Sequence, residues 1–152
     1  MNLTVASCTV AVTQPKEESE LADYTLLKVS DVADQGPNFG LEGKMEARFM
    51  RVDLGCENCG VTYLRLAPDF RIPFGHRHKV QEEVYVLVSG SARIKVEDDV
   101  HDLEPWTAVR MSKDVMRSME AGPEGAEFVL VGAPNTGPGD AITEPGWWED
   151  GS

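Results

Sequence analysis

The chain is short of positive charge: 14 Lys and Arg stand against 26 Asp and Glu, a formal net charge of −12 over 152 residues. Such a surface repels nucleic-acid phosphates and anionic lipid headgroups, so those partner classes are excluded. Long apolar runs are also missing. No stretch reaches the ~18 residues that a spanning helix needs, so no membrane partner is expected. Cysteines number only three, an odd count that argues against a secreted disulfide framework and makes the cytoplasm the expected compartment. Val5-Ala6-Ser7-Cys8 has the outline of a lipoprotein cleavage site, but neither a basic residue nor an apolar stretch precedes it. Helical periodicity is lacking too. After residue 30 no window carries an apolar stripe at helical spacing, and the best helical candidate, residues 16–24, is short and acidic.

What is present reads as β structure. Residues 24–29, 45–52, 61–66, 83–88, 92–96, 107–111, 116–120 and 126–131 alternate apolar with polar side chains or are rich in β-branched ones, with Gly, Pro, Asn and Asp between them. They predict an all-β domain over residues 21–133, preceded by a loose polar arm at 1–20. The Gly- and Pro-rich tail, 134–152, ends in Trp147 and Trp148, two large amphipathic rings expected to pin it to the body or to a neighbouring subunit. Within 83–88, the face formed by Val84, Val86 and Val88 is wholly apolar. A face of that kind must be covered, which predicts a homodimer.

The chemistry concentrates in His76-Arg77-His78, followed closely by Glu82 and Glu83. Alternation along a strand puts both imidazoles on one face, and an adjoining strand can bring a carboxylate to them. Two neutral imidazoles and a carboxylate are the ligand set of an open divalent-metal site. Cys56-Glu57-Asn58-Cys59 has the spacing of half a zinc knuckle or of a redox dithiol. No second pair accompanies it, so it reads as two free thiols at a hairpin tip. His101, set among carboxylates, is expected on the surface.

The stretch from Pro73 to Gly90 resembles the first motif of the cupin superfamily, with His76-x-His78, Glu83 and Gly90 at that motif's spacing. The resemblance spans about residues 61–132, and the chain as a whole is similar to small single-domain bacterial cupins. It implies a double-stranded β-helix, a small barrel or jelly-roll-like sandwich with little helix. It also implies a divalent transition metal (iron, manganese, nickel or zinc) on His76, His78 and Glu83. The family's second motif survives only in spacing: Trp106 and Ala121 take the places of a Gly and an Asn, and Arg117 falls where the last metal-binding His belongs. A slip of one residue would put Met116 there instead.

Arg117 divides the functional reading. A divalent ion with one carboxylate keeps a net positive charge, and a guanidinium beside it is unfavourable unless an anion joins. In the first reading that anion is an acidic small-molecule ligand clamped by Arg117. In the second, Arg117 pairs with Glu83, replaces the metal, and leaves a metal-free ligand-binding or sensor module. Tyr85 shares the inward face with Glu83 and either donates to a ligand or fills the barrel, while Phe74 and Met119 are expected in the pocket wall. Oxygenase, isomerase and lyase chemistry all start from such sites, so substrate and reaction stay open.

Overall fold

From residue 45 onward the chain alternates strands with tight turns. In order these are β1 (Met45–Phe49), a single helical turn α1 (Arg51–Leu54), β2 (Gly60–Leu66), β3 (Phe74–His78), β4 (Glu82–Val96), β5 (Asp99–Leu103), β6 (Ala108–Met111), β7 (Arg117–Ala133) and β8 (Ala141–Pro145). The computed structural model describes residues 23–137 and 139–149. Every pairing is antiparallel. The later half of β7 lies between β2 and the first half of β4, and its first half pairs with the second half of β4. β4 also carries β5 and β6, while β3 joins β7 at His76 opposite Arg117 and is flanked by β8. The result is one curled, mostly β fold with little helix.

Its core is built from the inward positions of these strands. Leu66, Tyr85, Leu87, Ile94, Met111 and Phe128 are each at most 1% exposed. Val84, Val86 and Val88 take the opposite face of β4 and are half-buried.

The expected strands need correction in two places. Residues 83–88 and 92–96, expected as separate strands, run on as one long β4 with a bulged bend at Ser89-Gly90-Ser91, and residues 116–120 and 126–131 likewise merge into β7. Gly90 makes the bend possible, since its φ is +78° and a Cβ there would stand 2.0 Å from the Gly125 carbonyl oxygen. Residues 24–29 form no strand: Tyr24 and Leu26 are 78% and 92% exposed, and alternation without a neighbouring strand to pair with has nothing to hold it. The loose arm expected at 1–20 lies outside the described residues, as does the weak helical candidate 16–24 except for 23 and 24, which are not helical. Strands β5 and β8 were not anticipated. Each is exposed along nearly all of its length, so no apolar face marks it in the sequence.

The stretch after residue 133 does more than trail behind. β8 extends the sheet along the full length of β3, and the Trp147 ring then folds over Gly75, where a Cβ would come within 2.7 Å of it. The Arg71 guanidinium sits 4.7 Å from the centre of the Trp148 ring. No helix among the described residues is long and apolar enough to cross a membrane.

Candidate metal centre

β3 sends His76 and His78 to the same side of the sheet, their rings 5.4 Å apart and nearly perpendicular. Glu83, at the start of β4, meets them there: one ligand atom from each of the three lies within 4.8 Å of the others. Among the described residues this is the one group of three or more His, Cys, Asp or Glu side chains arranged to hold an ion.

Arg117 enters the barrel directly opposite His76, so the register puts Arg117, not Met116, at this position. It is fully buried. Its Nη2 donates to Glu83 Oε2, its Nε donates to the Tyr85 hydroxyl at 3.2 Å, and its Nη1 donates to the carbonyls of His76 and Val115 at 3.3 and 3.1 Å. Tyr85, itself 1% exposed, donates to Glu83 Oε2 at 2.7 Å. Tyr85 therefore braces the carboxylate from behind. Burial alone would raise the Glu83 pKa, but the His76 ring, the Arg117 charge and the Tyr85 hydroxyl together hold it well below the usual carboxylate range. Burial lowers the His76 pKa, with the Arg117 charge adding to the effect, so this ring is neutral near pH 7. Burial also pushes the Tyr85 phenol well up, as does the neighbouring Glu83 charge, and it stays protonated.

The side chain that sequence reasoning missed is Asp140, from the segment that leads into β8. Its Oδ2 lies 3.0 Å from His78 Nδ1, and the carboxylate also accepts the backbone N–H groups of Val80 and Gln81 at 3.1 and 3.2 Å. Nothing in Gly137-Pro138-Gly139-Asp140 signals this role; only the pairing of β8 with β3 brings the carboxylate to the histidine. Asp140 is held below its ordinary pKa: burial works the other way, but the Gln81 amide and the His78 ring outweigh it. A carboxylate on Nδ1 assigns the ring proton there and turns the Nε2 lone pair toward Glu83. That Nε2 is buried without a hydrogen-bond partner, although Glu83 Oε2 is only 3.2 Å away. A lone pair facing a carboxylate oxygen at that distance is repulsive unless a proton or a cation joins them.

The donor set therefore fits a divalent ion. A carboxylate offers about four lone-pair positions; Tyr85 and Arg117 both donate to Glu83 Oε2, leaving Oε1 for a metal. The charge balance fits as well: Glu83 and Asp140 together outweigh Arg117 by one negative charge, so the protein itself supplies an anion that the sequence assigned to a ligand. His76, His78 and Glu83 line one end of a cavity of about 210 Å³, and Phe74 and Met119 are in its wall. Tyr85 and Arg117 lie behind that wall, among the groups that hold Glu83.

The other cysteine and histidine candidates stand apart. Cys56 and Cys59 are free and half-buried, and the loop they bound is tied to the chain at Asn135, whose N–H donates to the Asn58 carbonyl at 3.0 Å. Partial burial and the neighbouring Cys59 push the Cys56 thiol up, the reverse of what an activated thiolate needs. His101 is exposed on β5.

No family model matches this sequence, and no curated protein matches it. Solved structures do. A cupin protein from Bacteroides fragilis superposes with a TM-score of 0.61 at 19% identity, covering 77% of this chain and 89% of that one. Oxalate decarboxylase from Bacillus subtilis superposes with a TM-score of 0.65 at 26% identity over 76% of this chain; the match spans 31% of the enzyme's length. KdgF from Halomonas sp. gives 0.55 at 12% identity, covering 63% of this chain and 84% of that one.

Proposed function

We propose that this chain, a cupin in fold, is a small-molecule-binding protein that holds a divalent transition metal on His76, His78 and Glu83. The observation that carries this reading is the buried, unpartnered His78 Nε2, turned toward Glu83 by Asp140. When bound, a divalent ion there supplies Lewis-acid polarisation of a ligand oxygen. The chain's own residues do the rest. Asp140 fixes the His78 tautomer and orientation. Arg117 and Tyr85 hold Glu83 ionised and fixed in place, which makes them positioning residues. Three protein ligands leave open positions for a ligand entering the cavity.

A second reading is favoured by one specific observation, the Arg117–Glu83 ion pair. It can stand in place of a metal and leave a metal-free binding or sensor module. Elemental analysis of protein purified without a histidine tag, followed by titration with iron, manganese, nickel and zinc, decides between the two. The metal reading predicts about one equivalent per chain, removable by chelator and restored on titration. Metal far below one equivalent that no addition raises rejects it in favour of the second. We further propose a cytoplasmic homodimer joined through the outer face of Val84, Val86 and Val88. Sedimentation at twice 16.7 kDa supports the dimer and a monomer at micromolar concentration rejects it.

A further inference from the structure

The walls of the cavity say what kind of molecule it takes. One end carries His76, His78 and Glu83; most of the remaining lining is apolar, including Leu64, Ile72, Met119 and Leu130. Among the described residues, Thr62 and Thr143 are its only polar side chains beyond the ligand group; Arg51, Gln81 and Asn135 line an adjoining space that also reaches His78 and Glu83. Arg117, the nearest guanidinium, is fully buried, and its donors go to Glu83, Tyr85 and two carbonyls. A ligand with a single metal-binding head therefore finds a partner for that head. A second anionic group directed into this apolar lining, such as the other carboxylate of a small diacid, would be buried against hydrocarbon without a counter-charge, which is costly.

The rim carries the same message. Phe39, from the turn Gly36–Phe39, stacks on Phe74 with ring centres 6.4 Å apart and meets Phe49 edge-on at 6.5 Å. All three rings line the cavity, and Phe39 and Phe49 are 48% and 47% exposed. Half-exposed phenyl rings grouped around an opening lose water contact when a flat apolar body enters. The volume sets the size: an apolar cavity of about 150 Å³ accommodates benzene, and this one, at about 210 Å³, has room for one ring and a small head.

From the apolar lining and the aromatic rim, we infer that the site takes a monocyclic, flat apolar molecule carrying one metal-ligating oxygen head. The inference rests on the metal reading above, and its test separates the two. The zinc-loaded full chain, with zinc content measured first, is titrated calorimetrically with benzohydroxamate and with acetohydroxamate, two chelators with the same head and different bodies. The phenyl compound is expected to bind at least tenfold more tightly. The double variant Phe39→Ala, Phe49→Ala, which truncates half-exposed rings and spares the core, should bring the two affinities to within about threefold while leaving acetohydroxamate unchanged. Equal affinities in the unaltered protein, or no binding of either compound to protein that holds zinc, would overturn the inference and leave the metal reading standing. A ratio that survives the double variant would also overturn it, since the preference would then lie outside the rim. Protein that takes up no zinc removes the metal reading, and the inference falls with it.

Discussion

The chain carries two short motifs whose residues are able to ligate metal, and they end up in very different surroundings. His76 and His78 lie on β3, where the two-residue period aims both rings at one cavity, and β4, β7 and the segment before β8 each add a group around them: Glu83, Arg117 and Asp140. Cys56 and Cys59 lie between α1 and β2, half-buried, and among the described residues no third ligand joins them. Spacing alone ranks the two pairs as comparable. What separates them is how many independent strands converge on each, because a metal site needs several oriented donors and a supporting layer behind them.

The comparison can be broken most directly by exchanging which pair is removed. His76→Ala with His78→Ala should abolish metal uptake, whereas Cys56→Ser with Cys59→Ser should leave it within about twofold; elemental analysis and competition with a chelator read both. If the cysteine variant alone loses the metal, the two motifs have been assigned the wrong way round. Arg117→Gln comes next in size. It strands the buried Glu83 carboxylate without its partner, and urea unfolding of the metal-free protein should lose roughly 3–5 kcal/mol. Added zinc should return part of that loss by mass action, and Arg117→His should tighten metal binding by supplying a further imidazole. Unchanged stability in Arg117→Gln would mean that the ion pair contributes little to the fold. Asp140→Asn is a smaller change. It swaps the carboxylate on His78 Nδ1 for an amide and should weaken metal affinity about 10- to 100-fold, with a native circular dichroism spectrum; an unchanged affinity would remove Asp140 from the site.

A further test is in pH. Glu83, Asp140 and His76 all have pKa values lowered by folding. The unfolded chain therefore binds their protons more readily than the native one, and stability rises with pH across that range. Thermal unfolding of the metal-free protein should be level above about pH 6.5, the ordinary imidazole value, and should fall first as His76 is forced to charge. A second decline should follow below about pH 4.5, the ordinary carboxylate range, and continue to the low pKa values of Glu83 and Asp140. A protein that gains stability between pH 6 and 4 would contradict the directions given for all three groups.

Most strands were legible because they obey the period-two rule over five or more residues, and the His-x-His and Glu83 positions were legible because they lie at the edges of such strands. Arg117 could be placed by counting along β7 once a family pattern supplied the frame. Its partner was one of two open readings, since no spacing reveals whether a guanidinium meets a carboxylate or a ligand. Asp140 was invisible for a different reason: 62 residues separate it from His78, and the strand that carries it across is short, exposed and ended by a proline. The false strand at 24–29 is the converse case, a correct local pattern with no partner.

The position of Asp140 also sets an order of events during synthesis. The imidazoles and Glu83 leave the ribosome well before residue 140, and folding from the N-terminal side can begin to gather them early. Until β8 pairs with β3, however, nothing on the chain dictates which nitrogen of His78 carries its proton. On the metal reading proposed above, loading is then a late step: a nascent chain stalled before residue 140 should take up metal no better than the full-length Asp140→Asn variant.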